Sequence, residues 1–414
     1  MSNKIVYSYL IKWRQKTGDV FMPFGVKTVK KQREEFAKEV MAGKNSKSAI
    51  CREYGISRVT GDKWLKRHTA GEKMEDRSKA PLRSPHKTPP EQEKKILEVR
   101  EKHPAWGPRK IRGYMERHGE QDLPCKSTIG NILKRNGCIS ECASQAATPY
   151  KRFQRERSNE LWQCDFKGDF GMLDGNRCHA LTVLDDYSRY SLCVDAKDNV
   201  RREGVVESFI RLFKTNGLPE ALLCDNGNPW GTSQSTGYTL FEIWLMTYEI
   251  LPIHGRIRHP QTQGKEERFH RTMEDELLKL VKIQDLKDAQ KQFDLFRDCY
   301  NNERPHEALE LGVPGEYYRC SSRMMPEKVR AWEYPSGFVI RKIKDTGYFT
   351  FNSQGYFLSE SFGGMTVGVR ESAIENCINL YYRGFRIARI DLREKAFVSK
   401  RIRRADEGTA GGEN

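Results

Sequence analysis

His259-Pro-Gln-Thr-Gln-Gly264-Lys-Glu-Glu-Arg-Phe-His-Arg-Thr272 reads as a proline-led loop, a glycine turn and a helix that follows at once, with a carboxylate pair near the helix start. Upstream, Asp165 and Asp225 each end or interrupt an apolar, strand-like run. Three carboxylates from separate elements can converge on divalent cations, whose natural ligands are oxygens. A pair of such ions about 3.5–4 Å apart can clamp the attacking and leaving oxygens of a phosphodiester.

Helix phase bears on which glutamate is the third ligand. Phe269, Met273, Leu277 and Leu280 fall on one stripe, the expected buried face. At about 100° per residue, Glu266 points about 60° from Phe269 and leans toward that stripe, whereas Glu267 points about 160° away. Glu267 is the expected ligand and Glu266 the fallback.

The order of elements around these residues suggests a fold. Strands are expected over 160–170, 178–184 and 190–194, with Asp174-Gly175-Asn176 as a hairpin turn. A helix over Arg202–Asn216, a short strand at Ala221–Cys224, a helix through Phe241–Met246 and a strand at Leu251–His254 follow. Three antiparallel strands and then alternating helices and strands is the order of an RNase H-like fold.

Ahead of this core the chain is basic. Residues 1–157 hold 36 Lys+Arg against 18 Asp+Glu, a charge of +18, so with a total of +16 the remainder carries −2. Such lopsided charge points to a polyanionic partner. From Thr28, three helices are expected, the last over Arg58–Arg67 behind the turn Gly55-Ile56-Ser57, which is a helix-turn-helix pattern. Its third helix would offer Ser57, Arg58, Thr60, Lys63 and Lys66 to DNA, with Trp64 as core. A second such module is expected from Glu91–Lys102, Arg109–Arg117 and a helix capped by Ser127.

These readings divide the 414 residues into a first helix-turn-helix domain at 26–70, a linker at 71–90 and a second helix-turn-helix domain at 91–139. A basic linker at 140–158 leads to the RNase H-like catalytic core at 159–325. Short strands between glycine turns suggest a small SH3-like β-barrel at 326–395, ahead of a basic flexible tail at 396–414. The fold class is thus multidomain, with α-helical modules, an α/β core and a small β-barrel.

Composition excludes several classes. No run of about 18 apolar residues exists, so no membrane span is expected. The N-terminus lacks a signal peptide's apolar core. The 11 cysteines sit mostly singly in apolar runs, as reduced cysteines of a cytosolic protein do. His103, His118, Cys125 and Cys138 fit no standard zinc spacing.

Trp162-Gln-Cys-Asp-Phe-Lys-Gly168, Cys224-Asp-Asn-Gly227 and the stretch from His259 to Thr272 resemble the integrase-core transposases of bacterial insertion sequences, relatives of retroviral integrases. Tyr300 to Leu309 also resembles the segment such enzymes carry after the core. The resemblance covers roughly residues 30–325 and implies a DDE-type acidic triad of Asp165, Asp225 and Glu267. It implies Mg2+ (or Mn2+), two ions per active site, held by that triad. The implied partners are double-stranded DNA, as transposon ends and target DNA, and further copies of the chain assembled on it. The implied location is the bacterial cytoplasm, at the nucleoid.

Lys265, Arg268, His270 and Arg271 are candidates for DNA phosphates, and Asn226 and His259 for hydrogen-bonded support of the site. The gap between Asp225 and Glu267 holds 41 residues, longer than in retroviral integrases, and helix-turn-helix modules replace their zinc-binding N-terminal domain. Two alternatives remain at this point: a domesticated DNA-binding regulator with an inactive core, and a nuclease for RNA–DNA hybrids.

Overall fold

Strand β1 (Trp162–Gly171) runs antiparallel to β2 (Arg177–Asp185), which runs antiparallel to β3 (Ser191–Lys197). Two short strands, β4 (Ala221–Cys224) and β5 (Leu251–His254), join parallel to β1, giving the order β3-β2-β1-β4-β5. The computed structural model describes residues 28–77, 88–139, 154–225, 227, 230, 237–255, 264–399 and 402–405. Asn226, His259 and the loop before Gly264 lie outside the described residues. The chain divides into two compact units, Met1–Lys87 and Thr88–Asn414.

In the first unit, α1 (Val29–Met41), α2 (Lys47–Glu53) and α3 (Arg58–Thr69) enclose Phe36, Ala37, Ile50, Cys51 and Trp64. Ser57 caps α3, its hydroxyl accepting the Thr60 N–H at 3.1 Å. Gly61 lets α3 approach its neighbours closely: a Cβ there would lie 2.7 Å from Cys51 Sγ. Ser57, Arg58, Lys63 and Lys66 are exposed and Thr60 is partly so.

The second unit begins with α4 (Pro90–Lys102), α5 (Pro108–Arg117) and α6 (Lys126–Arg135), packed around Ile96, Trp106, Ile111, Ile129, Ile132 and Leu133. Cys125, not Ser127, is the capping position of α6. The cap sits two residues early because the extended backbone already ends at Cys125, whose Sγ lies 3.3 Å from Thr128 Oγ1.

Both faces of the β1–β5 sheet are covered. On one face, α7 (Arg202–Asn216) and α8 (Leu240–Thr247) bury Phe209, Phe213, Phe241 and Leu245 against Trp162, Cys164 and Leu222. On the other, α9 (Gly264–Met273) and α10 (Leu286–Asp298) bury Phe269, Met273 and Phe293 against Cys178, Ala180 and Val194. Leu280 leaves the expected stripe and is 52 % exposed. The π-helical turn Glu274–Leu278 follows α9; its i→i+5 bonding spends more residues on each turn and so takes the chain out of the α-helical phase.

A last helical turn, α11 (Pro314–Tyr317), precedes the C-terminal strands. Strands β6 (Val339–Lys342), β9 (Thr366–Glu371), β10 (Cys377–Tyr382), β11 (Phe385–Asp391) and β12 (Phe397–Ser399) pair in the order β12-β11-β10-β9-β6. Strands β7 (Tyr348–Phe351) and β8 (Gln354–Phe357) form a separate hairpin, and β13 (Arg403–Arg404) pairs with β11. The SH3-like barrel expected here is not met: among the described strands the ladders are open, with β6 and β12 at opposite edges. Gly347 turns into β7 at φ +80°, a conformation glycine adopts without strain. The sheet also runs past residue 395, with Arg404 donating to the Glu220 carbonyl at 2.8 Å.

Helix α8 belongs to two cores. Its sequence LFEIWLMT carries apolar residues on two opposite faces, as a helix packed between two cores requires. Phe241 and Leu245 face the β1–β5 sheet, while Ile243 and Met246 pack with Phe349, Ile378 and Phe385 of the C-terminal strands.

Candidate active site

Asp165 stands in the middle of β1, opposite Thr182 of β2, just before the chain bulges between Phe166 and Asp169. The neighbouring Cys164 faces the core under α7 and α8, so strand alternation turns Asp165 toward the α9 face. Its Oδ1 accepts the Phe166 N–H at 2.8 Å. Burial pushes its carboxyl up to about 6, and the charges of Asp225 and Glu267 push the same way. Both of the other carboxylates therefore lie within electrostatic reach of Asp165.

Asp225 follows the last residue of β4, at the carboxyl end of a parallel strand, where open α/β sheets present ligand groups. Its side chain is exposed. Its backbone is held from β5: Nδ1 of His254 lies 3.1 Å from the Asp225 carbonyl, which can only accept, so Nδ1 carries the hydrogen. The other ring nitrogen lies 3.0 Å from Oε1 of Glu242, a buried carboxylate on α8. Glu242 in turn completes a capping box with Thr239. Sequence reasoning missed His254, although a single acid inside the apolar run of α8 signals a buried carboxylate that must find a partner.

On α9, Glu266 is fully buried and Glu267 exposed. Oε2 of Glu266 accepts the Thr182 hydroxyl at 3.0 Å, while Oε1 has no hydrogen-bond partner. Burial and the nearby Asp165 hold the Glu266 carboxyl well above the usual range. Thr182 also lies 3.0 Å from the Asp165 carbonyl and 2.8 Å from Nε2 of His270, so it ties β1, β2 and α9 together. Arg268 and Arg271 are exposed. Lys265 and His270 turn inward instead. The Lys265 ammonium contacts the buried Asp186 carboxylate, and burial lowers its pKa to about 8.

Cys164 and Cys224 each precede one of the two aspartates, and their buried thiols lie 2.9 Å apart across β1 and β4. The backbone pairing of β1 with β4 sets the separation of the strands bearing Asp165 and Asp225, and the two thiols pack within it.

The donor set suits hard divalent cations, which take carboxylate oxygens. Burial raises the Asp165 carboxyl, and the like charges of Asp225 and Glu267 add to that, so a cation at this position would relieve the repulsion. Among the described residues, the acidic three do not close to a group whose ligand atoms all lie within 4.8 Å of one another; His103, Cys299 and Glu303 do.

Known proteins resemble parts of this chain. Integrase core domain models match residues 155–260 and 248–314, and a homeodomain-like domain model matches residues 60–133. A protein of insertion element IS136 from Agrobacterium fabrum is 24 % identical over 174 residues, 40 % of this chain and 86 % of that protein. The transposase InsD for insertion element IS2D of Escherichia coli is 23 % identical over 231 residues, 52 % of this chain and 74 % of that protein. Among solved structures, the HTLV-2 integrase catalytic core domain in complex with magnesium is 13 % identical, covers 39 % of this chain and 98 % of its own, and has a TM-score of 0.30.

The β1–β5 sheet with its flanking helices is an integrase core. Integrase core domain models thus match the β-sheet portion of the chain and a homeodomain-like domain model the region ahead of it, and the similar proteins include ones named for insertion elements and their transposases. Among the described residues, no helix is long and apolar enough to cross a membrane.

Proposed function

We propose that this protein binds the terminal inverted repeats of its own mobile element, cleaves the strand ends there and joins them to target DNA. The observation that carries this reading is the placing of Asp165 within β1, Asp225 directly after the neighbouring strand β4 and Glu267 on α9, which packs against β1. Asp165, Asp225 and Glu267 would hold divalent cations, Mg2+ or Mn2+, which when bound activate the attacking oxygen and offset charge on the leaving one.

The chain's own residues supply position. Asp165 is fixed by its strand and by Thr182, and Asp225 by His254. Glu267 stands at the open face of α9, with Arg268 and Arg271 beside it to hold phosphates. In the first step a water attacks the phosphodiester at the element's end; in the second the freed 3′-hydroxyl attacks the target. Both are in-line displacements at one site, so no covalent protein–DNA intermediate forms. Ser57, Arg58, Thr60, Lys63 and Lys66 on and before α3 recognise the ends. Two ends must meet, so copies of the chain assemble on DNA.

The test uses purified protein, oligonucleotides bearing the element's ends, and Mg2+. Wild type cleaves and joins them, and Asp225→Asn does neither. Joining by Asp225→Asn at the wild-type rate refutes the assignment.

A further inference from the structure

We propose that His103, Cys299 and Glu303 form a second metal site, for a Zn2+-class cation, that clamps the second helical module to the integrase core. His103 follows the end of α4. Cys299 and Glu303 bound the π-helical turn after α10, closed by the Arg304 N–H on the Cys299 carbonyl at 2.8 Å. Single π-turns recur where a helix must aim side chains at a site.

The three offer one nitrogen, one sulfur and one oxygen, all within 4.8 Å of one another. Nε2 of His103 lies 3.7 Å from Oε2 of Glu303, and the His103 side chain is only 10 % exposed. Neighbouring corners of a tetrahedral zinc site lie about 3.3–3.8 Å apart, given metal–ligand bonds of about 2.0–2.3 Å. The cluster is thus within about an ångström of coordinating geometry.

A second observation is independent of this spacing. Nε2 of His103 is buried without a hydrogen-bond partner, although buried polar atoms almost always have one. The ring cannot turn away easily, because it stacks on Trp106 at 3.6 Å with 4° between planes. An imidazole fixed by packing, with an unpartnered ring nitrogen beside a thiol and a carboxylate, is a ligand held in place.

The donor set selects the ion. A thiolate with an imidazole favours Zn2+ over Mg2+, so this site and the acidic one draw on different metals. Cys299 packs against the module's own core of Ile96, Trp106 and Ile111. Lys102, which contacts Glu303 at 2.9 Å, is more than half exposed and can swing into solvent when a cation takes the carboxylate. Thiolate and carboxylate would neutralise a divalent charge, and water would complete the fourth corner.

The test uses full-length protein stripped by a chelator and titrated with Co2+. One equivalent should give a sulfur-to-cobalt charge-transfer band in the near ultraviolet, displaced by Zn2+ but not by excess Mg2+. Cys299→Ser should lose the band; His103→Gln and Glu303→Gln should keep it with affinity at least about tenfold weaker. Glu303 is a third exposed, so Glu303→Gln tests the site without threatening the fold. Wild type without the band, Cys299→Ser with it, or Glu303→Gln at wild-type affinity overturns the proposal. Carboxylates give no such band, so the result is independent of the acidic site.

Discussion

The indole Nε1 of Trp106 donates to Oε2 of Glu276 at 3.1 Å, across 170 residues of chain. Glu276 is also held by Arg304 at 3.0 Å and Lys110 at 3.3 Å, and its side chain is 12 % exposed. One carboxylate therefore joins the second helical module, the turn after α9 and the segment after α10. Removing one partner of a buried pair leaves the other charge uncompensated, at a cost of about 3–5 kcal/mol. Glu276→Ala should lower unfolding free energy by about that much in urea titrations, and Glu276→Gln by roughly half, since it keeps an acceptor for Trp106. A drop below about 1 kcal/mol for Glu276→Ala would mean that this junction is held elsewhere.

Asp165 gives a pH prediction. Its carboxyl is raised from 3.8 to about 6, so the folded state binds the proton more tightly than the unfolded chain. The contribution of this group to folding is largest below 3.8 and is lost as pH rises through about 6. Asp165→Asn should therefore be more stable than wild type near pH 8, by at most about 3 kcal/mol at about 1.4 kcal/mol per pH unit. The gap should close in acid and shrink in saturating Mg2+. Thermal melts across pH check this; equal melting temperatures near pH 8 contradict it.

Glu266 and Glu267 separate by burial. Glu267→Gln changes an exposed side chain and should leave stability within about 0.5 kcal/mol while abolishing strand joining. Glu266→Gln replaces a buried carboxyl by a group of the same size that still accepts from Thr182, and should keep joining within about tenfold. If the two variants exchange these phenotypes in a joining assay, Glu266 is the third carboxylate.

Arg58 and Lys63 are exposed on α3, and Lys63 lies 5.1 Å from the centre of the Trp64 ring. Changing both to Ala should weaken binding to element ends. It should also reduce the slope of log affinity against log salt by about 2, one for each phosphate that is no longer neutralised. An unchanged slope in filter binding or fluorescence anisotropy places the recognition surface on another helix.

Much of the core is legible in the chain, for a physical reason. Ala221-Leu-Leu-Cys224 and Arg202–Asn216 carry strong periodicity between clear breakers, and both form with those bounds. The inward lean of Glu266 follows from its angle to Phe269. What sequence conceals is long-range. Nothing near His254 announces that it will meet Glu242 and the Asp225 carbonyl, and nothing near Lys265 announces Asp186. Leu280 departs from its expected face because a π-turn leaves no signature in hydrophobic spacing. Glycine turns mark out the C-terminal strands, but closure into a barrel depends on which edges meet, and local pattern does not encode that.

The two-sided burial of α8 bears on how this protein can be cut. Ile243 and Met246 belong to the catalytic portion by sequence position but are roofed by Phe349, Ile378 and Phe385. A fragment trimmed at residue 325 would lay that apolar seam bare to water, inviting self-association through it. The integrase core therefore depends on the β-rich end of the chain to cover this seam, and proteases should find no clean hinge between them.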